Sequence, residues 1–314
     1  MPLGAVKVGL FAAAGAGGGG GAGYFCGGYT NFTTIDRFEF PDETRSTLSS
    51  GLPTAVSTGG GAGNAGVAGY ILGGVLTGGT TGTNLVQKLD YADDSTSTVS
   101  ATLAGSRFNS SGMADSGTAG YQCGGYTPRD DIYKLLFSTE ATSTLSASLS
   151  LSPYQLSAAA DSGTAGYIAG GAYYSGGWQK TDQIEKMPFA SETLSTLSAT
   201  LATGTIHFSG MANSGTAAYF SGGQDSGGIL SRTDKLTFST DSRATLGTGL
   251  STARAALSQG MADSGTAGYT GGGGASVATV DRRAFADDSL TTLSTGLSAG
   301  RRWTVGIANE SALA

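Results

Sequence analysis

The chain alternates short runs of apolar and polar residues with clusters of Gly, Ser, Thr, Asp and Asn. Over residues 143–149, Leu145, Ala147 and Leu149 occupy every second position, which is the spacing of one face of a β-strand. Turn residues separate this run from three earlier strand candidates, residues 111–114, 118–123 and 132–137. No 3.6-residue helical spacing is found, so the pattern predicts a unit of four short strands, named a to d in chain order.

This four-strand unit occurs six times. In every copy strand b contains Gly/Ala-Tyr-x-x-Gly-Gly, with its tyrosine at Tyr24, Tyr70, Tyr121, Tyr167, Tyr219 and Tyr269. Strand c ends at an aromatic residue, called the anchor, at Phe40, Tyr91, Phe137, Phe189, Phe238 and Phe285. Four strands in about 45–50 residues are typical of a β-propeller blade. We therefore predict an all-β, six-bladed propeller of four-stranded antiparallel blades over residues 22–314.

The last repeat contains a strand a that no strand b follows. Residues 306–309 match residues 260–263, but no tyrosine motif comes after them. We expect this strand to close the ring by pairing with the strand b of Tyr24, since closure leaves few free strand edges. In the alternative, residues 8–14 supply strand a of the first blade.

Glycine accounts for 54 of the 314 residues, a level that is also typical of collagen or disorder. Collagen is excluded because the glycines lack a strict three-residue period and the chain has 6 prolines. The segment from Met1 to Gly21 is predicted to be a Gly-rich extension or tether outside the blades. With Lys7 as its one cation and a short apolar run, it fits this better than a cleaved signal peptide.

Composition argues against several functions. A net charge of −6 and a pI near 4.7 disfavour nucleic-acid binding, and no apolar run reaches the roughly 18 residues of a membrane span. Two cysteines and one histidine are too few for a usual zinc site, so we expect no metal, no cofactor and no catalytic residues. A polysaccharide hydrolase or lyase remains an alternative, because Asp130, Asp131 and Asp225 lie in or beside variable loops.

Repeated polar positions predict structural roles. Asp or Asn stands six residues before five of the tyrosines, and also at Asn309; we expect these side chains to accept backbone N–H bonds across their turns. A cation stands three residues before every anchor, at Arg37, Lys88, Lys134, Lys186, Lys235 and Arg282. We expect blade-to-blade contacts with the Asp/Asn positions or with carbonyls; the alternative is an anion-binding ring. Cys26 and Cys123 are predicted to be buried free thiols.

Variation is concentrated in the loops between strands b and c and between strands d and a, which emerge on one face of a propeller. We predict the binding residues there, since aromatic side chains stack on sugars or anchor protein partners. The candidates are Tyr29, Tyr126, Arg129, Tyr173, Tyr174, Trp178, His207 and Trp303. We expect the same loops to display Phe32, Arg107, Phe108 and Tyr154 as well. The longest insertion, residues 172–183, is the first choice.

The Tyr-x-x-Gly-Gly end of strand b, followed by strands c and d, resembles the kelch repeat over residues 22–314. Leu or Val stands where kelch blades usually have tryptophan in strand d. The Ala-Asp-Ser-Gly-Thr-Ala-Gly-Tyr units are similar to those of kelch-like propellers in bacteriophage virions and tails. This resemblance implies a non-enzymatic virion protein used for structure or host attachment. Its partners would be other virion proteins, bound through residues 1–21 or a propeller face, and host-surface glycans. The alternative is a secreted or surface-attached bacterial glycan-binding propeller.

Overall fold

The structure is a computed structural model that describes residues 21–29, 32–76, 81–126, 129–257 and 259–309. In these ranges the chain forms 29 strands and no helix. The strands build six antiparallel blades arranged in a ring, which confirms the predicted propeller. The predicted extension, residues 1–21, lies outside the described residues except for Gly21.

The first three blades contain strands β1 to β12. Blade 1 contains β1 (Ala22–Cys26), β2 (Ile35–Glu39) and β3 (Arg45–Thr47) as strands b to d. Blade 2 contains the short β4 (Val56–Ser57), then β5 (Gly60–Asn64), β6 (Ala68–Leu76), β7 (Gly82–Asp90) and β8 (Thr96–Thr98). Blade 3 contains β9 (Ser111–Asp115), β10 (Ala119–Cys123), β11 (Asp131–Leu136) and β12 (Thr142–Ser148). The blade 3 strands match the predicted ones to within one residue at each end.

Blades 4 and 5 each contain an extra hairpin between strands b and c. Blade 4 contains β13 (Ser157–Asp161), β14 (Ala165–Ala169), the hairpin β15 (Ala172–Tyr174) and β16 (Trp178–Lys180), β17 (Ile184–Pro188) and β18 (Ser195–Thr196). Blade 5 contains β19 (Ser209–Asn213), β20 (Ala217–Ser221), the hairpin β21 (Gln224–Asp225) and β22 (Gly228–Ile229), β23 (Thr233–Thr237) and β24 (Ser242–Thr245). Blade 6 contains β25 (Met261–Asp263), β26 (Ala267–Gly271), β27 (Val280–Ala284) and β28 (Leu290–Thr292), and β29 (Val305–Asn309) follows.

The ring closes as predicted, because β29 is strand a of blade 1. It pairs antiparallel with β1, with Ile307 opposite Tyr24. The other edge of β1 pairs with β2, so residues 8–14 are not needed as strand a. A fully buried ion pair strengthens the closure: Arg301, just before β29, lies 2.5 Å from Asp36 on β2. Arg301 also donates to the carbonyl oxygens of Gly27 and Thr34.

Each blade contacts the next through the strand-b tyrosine. Between blades 4 and 5, the rings of Tyr167 and Phe238 stack with centroids 4.8 Å apart. The Tyr167 hydroxyl donates to Asp241 at 3.1 Å, and Nζ of Lys186 lies 2.8 Å from the same carboxylate. Burial raises the pKa of Tyr167 to about 12, so the side chain remains a hydroxyl donor at neutral pH.

The same tyrosine, anchor, cation and acid meet at all six blade interfaces, so the predicted blade-to-blade role of the cations is confirmed. The partners differ from those expected. They are acids in the turn between strands c and d of the next blade, three residues after each anchor. These acids are Glu43, Asp94, Glu140, Glu192, Asp241 and Asp288.

The Asp/Asn side chains before strand b also act between blades. Oδ1 of Asp161 accepts the backbone N–H of Gly215 in the next blade at 2.6 Å, and Oδ1 of Asp115 accepts that of Gly163 at 2.9 Å. The expectation of a bond across the residue's own turn was therefore wrong. The turn itself is closed by backbone atoms, as in the bond from Thr164 N to Asp161 O.

The apolar core lies between neighbouring blades rather than at one centre. Leu236 and Phe220 of blade 5, for example, pack with Ile184 of blade 4. At the axis the strands a approach so closely that some positions leave no room for a side chain. A Cβ on Gly112 would lie 2.6 Å from the nitrogen of Gly61 and 2.8 Å from the carbonyl carbon of Gly60. Glycine is required here for close packing of backbones, which explains part of the high glycine content.

Candidate functional site

The variable loops meet on one side of the ring, called the loop face: the loops between strands b and c and between strands d and a. Backbone bonds join the two kinds of loop. Tyr126 N donates to Phe108 O at 2.9 Å, and Tyr154 N donates to Ala172 O at 2.9 Å. The predicted grouping of these loops on one face is therefore confirmed.

Five aromatic side chains form a continuous row across blades 3 and 4, called the aromatic row. Ring centroids are 5.1 Å apart for Phe108 and Tyr126, and 5.5 Å for Tyr126 and Tyr154. They are 5.0 Å apart for Tyr154 and Trp178, and 5.4 Å for Trp178 and Tyr174. Three of the rings are exposed, Tyr126 by 39%, Trp178 by 51% and Tyr174 by 62%, whereas Phe108 and Tyr154 are partly buried. The row thus presents exposed aromatic rings that pack against their neighbours in the row.

The hairpin of blade 4 positions the outer end of this row. Tyr174 and Trp178 are opposite each other in the pairing of β15 and β16, so their side chains lie on the same face of the hairpin. Gly176, with φ of 66°, makes the tight turn between them. Tyr173 is opposite Gln179, points to the other face and is half-buried.

A second cluster, called the axial cluster, lies near the ring axis and contains Tyr29, His207, Arg302 and Trp303. The indole N–H of Trp303 donates to Nδ1 of His207 at 3.1 Å, and the Trp303 ring contacts Tyr29 edge-on at 5.0 Å. The guanidinium of Arg302 lies over both rings, 4.4 Å from the Tyr29 centroid and 4.7 Å from that of Trp303. Burial, helped by the charge of Lys180, lowers the pKa of His207 to about 4. The imidazole is therefore neutral at pH 7, with its proton on Nε2.

The remaining candidates are placed differently. Arg129 is exposed and makes no ion pair within the described ranges. Phe32 is partly buried, and the Arg301 guanidinium lies 5.8 Å from its ring. The expectation that Arg107 is displayed was wrong: it is fully buried, stacks on Tyr133 at 4.0 Å and forms an ion pair with Asp131.

A cavity of about 210 Å³ separates the axial cluster from the aromatic row. Its lining includes Tyr29, His207 and Trp303 of the axial cluster and Phe108 of the aromatic row. The rest of the lining is Ser57, Thr58, Val75, Asn109 and Gln155. Sequence reasoning missed Thr58, Asn109 and Gln155, although each lies 18 positions after an anchor, as His207 and Trp303 do.

The central channel offers little chemistry. It encloses about 120 Å³ between the strands a and is lined mainly by Gly, Ala, Ser and Met. Gln259 of blade 6 bonds Gly61 of blade 2 there: the side-chain amide donates to Gly61 O at 2.9 Å and accepts from Gly61 N at 2.8 Å. Its narrowness follows from the close approach of the strands a.

The described part of the chain forms neither a metal centre nor a disulfide. No group of three or more His, Cys, Asp or Glu residues is arranged to hold a metal ion there. Cys26 and Cys123 are buried and free, as predicted, and burial raises each thiol pKa to about 12. No described segment is a helix long and apolar enough to cross a membrane.

No protein-family model matches the chain. No curated protein matches it either. The functional argument therefore depends on the geometry of the loop face.

Proposed function

We propose that this chain is a non-enzymatic, kelch-like propeller of a bacteriophage particle that attaches to a host-surface glycan through its loop face. The aromatic row carries this proposal. Its outer rings, Trp178 and Tyr174, are more than half exposed and contact each other edge-on. Trp178 also contacts Tyr154 edge-on. Rigid, exposed rings bind the apolar faces of sugars with a small loss of conformational entropy.

The carboxylates near the loop face support binding rather than catalysis. Asp131 forms an ion pair with buried Arg107. Asp225 accepts backbone N–H bonds from Gly227 and Gly228 in the blade 5 hairpin, and these bonds help to hold the pKa of its carboxyl below the usual value. Glycoside hydrolysis needs two carboxyl groups side by side, one of them with a raised pKa, whereas the pKa of Asp225 is shifted in the opposite direction.

The assignment to a phage particle is supported by the near-identical Ser-, Thr- and Gly-rich repeats and their likeness to virion propellers. In this proposal residues 1–21 or a propeller face bind other virion proteins. Mass spectrometry of purified particles tests the location: we expect the chain in the particles. Its presence in culture supernatant alone would favour a secreted or surface-attached bacterial glycan-binding propeller.

Glycan-array binding by the full chain tests the loop face. Trp178→Ala should weaken binding about tenfold, since one stacked ring contributes about 1–1.5 kcal/mol. Ile229→Ala is the matched control, because Ile229 is 57% exposed on the blade 5 hairpin but lies outside the aromatic row. Equal binding by wild type and Trp178→Ala would contradict the proposal, and turnover of a bound polysaccharide would contradict the non-enzymatic role.

A further inference from the structure

One position in each blade has the same backbone conformation but a different side chain. These six residues, called the axial ring, each lie 18 positions after an anchor: Thr58, Asn109, Gln155, His207, Ala256 and Trp303. All six have positive φ, between 54° and 60°. Backbone bonds join neighbours in the ring, including Gln155 N to Asn109 O at 2.7 Å and Thr58 N to Trp303 O at 3.1 Å.

Positive φ strains residues other than glycine, at a cost of about 1 kcal/mol or more each. This glycine-rich chain places glycine at 20 described positive-φ positions, yet at none of the six ring positions. Apart from Ser276, the other described exceptions are the six acids of the blade interfaces, whose side chains form ion pairs. By the same logic, we infer that the ring residues other than Ala256 keep their side chains because those side chains have a role.

Five of the six ring residues line the cavity of about 210 Å³ on the loop face, and Ala256 does not. Thr58 is only 5% exposed, and its hydroxyl has no hydrogen-bond partner among the described residues. Leaving such a group unpaired in a complex costs about 1–3 kcal/mol, so the site favours a ligand that places a hydroxyl at this position over one that does not. His207 accepts from Trp303 through Nδ1, and no described residue accepts its remaining Nε2–H.

The composition of the cavity indicates its ligand. Tyr29, Phe108 and Trp303 supply aromatic walls, while Thr58, Asn109, Gln155 and His207 supply hydrogen-bonding groups. None of the lining side chains is charged at pH 7 when His207 is neutral. The volume is below the roughly 300 Å³ at which drug-sized pockets begin, which suits one small ring.

We propose that this cavity binds the neutral terminal pyranose of a glycan, with Thr58 and His207 bonding its hydroxyls and the aromatic walls packing on its faces. This inference rests on the proposed glycan-binding function and adds the place where the terminal sugar of the glycan binds. Phe108 belongs both to the cavity wall and to the aromatic row. A glycan whose end occupies the cavity therefore continues over Tyr126 and Tyr154 toward Trp178.

Calorimetric titration of the full chain with glucose, galactose, mannose, N-acetylglucosamine and glucuronate tests the proposal. At least one neutral sugar should bind, and glucuronate should not. Thr58→Val keeps the shape but removes the hydroxyl, so it should weaken neutral-sugar binding about five- to tenfold without lowering the denaturation midpoint. Ala256→Ser is the matched control: it adds a hydroxyl at the equivalent backbone position outside the cavity and should leave affinity unchanged.

Trp178→Ala separates this site from the outer surface. It should leave monosaccharide affinity unchanged while weakening binding of the array-identified oligosaccharide. Oligosaccharide binding that Thr58→Val does not weaken would overturn the axial site but leave loop-face binding intact. Binding of glucuronate in preference to the neutral sugars would overturn it as well. Failure to bind any glycan would overturn both proposals.

Discussion

The indole N–H of Trp303 donates a 3.1 Å hydrogen bond to Nδ1 of His207, although 96 positions separate the two residues in the chain. Trp303 precedes strand a of blade 1, and His207 precedes strand a of blade 5. The equivalent residue of the blade between them is Ala256, whose small side chain leaves room for the contact. The bond needs a neutral imidazole, because protonation of Nδ1 would turn the acceptor into a donor.

Acid should therefore weaken the fold through His207. Its pKa is about 4 in the folded protein and about 6.5 when unfolded, so its neutral form stabilises the fold fully above pH 6.5. This contribution is lost as the pH falls toward 4, up to about 3 kcal/mol. Urea denaturation of wild type and His207→Asn at pH 7 and 4.5 measures it. Asn tolerates positive φ, and the other titrating groups cancel in the comparison. If the free energy of unfolding differs between wild type and His207→Asn by the same amount at both pH values, the prediction is contradicted.

The blade 4–5 interface should weaken when Asp241 is truncated. Its carboxylate accepts from the Tyr167 hydroxyl and from Lys186. We expect Asp241→Ala to lower the free energy of unfolding by about 2 kcal/mol, and Asp241→Asn to lower it by less, because the amide oxygen still accepts a bond. Asp42→Ala, at an exposed acid in the turn of blade 1, is the control and should change it by under about 0.5 kcal/mol. Equal effects of Asp241→Ala and Asp42→Ala would show that the interface bonds add nothing.

The closing ion pair should behave as a buried pair. Asp36→Ala would leave the Arg301 guanidinium buried without its carboxylate, and we expect a loss of about 3–5 kcal/mol in chemical denaturation. The double variant Asp36→Leu, Arg301→Met removes both charges and should recover most of that loss. If the double variant is as unstable as Asp36→Ala, the cost comes from packing and not from an unpaired charge.

Glycine at the axis should resist enlargement. Gly112→Ala places its Cβ against backbone atoms of Gly60 and Gly61, which cannot move aside as a flexible side chain would. We expect a loss of about 2–3 kcal/mol in thermal denaturation. Gly247→Ala is the control, since its Cβ would meet no atom within 4 Å and its φ is not positive. It should be neutral or slightly stabilising, and a comparable loss in both variants would argue against axial crowding.

Much of the fold was predictable because the same local signals occur six times. Strand β12 shows this: its predicted alternation at Leu145 and Ala147 matches the alternating exposure in the structure. The acids of the blade interfaces were missed, although they also recur at a constant spacing from the anchors. The reason is that each cation pairs with the acid of the next copy, as Lys186 does with Asp241, and a constant spacing within a copy does not show which residues of two copies meet.

The candidate site was predictable only in part. The exposure of Tyr174 and Trp178 was predictable, since an insertion of this kind has no core to enter, and their role in binding stays a prediction. The same reasoning failed for Arg107, which blade 3 buries against Tyr133 and Asp131. It also did not select Thr58, because this threonine was not distinguished from the many other threonines in the sequence.

By itself the sequence determined the strands, the six-blade repeat and the closure by β29, because alternation and turn chemistry are local and repeated. Only the tertiary structure decided which loop residues meet. Trp303 contacts His207, and Phe108 lines the same cavity as Tyr29, because the ring brings loops of different blades to one axis. Those contacts depend on the size and direction of side chains at positions that differ between blades, so the repeat pattern of the sequence does not predict them.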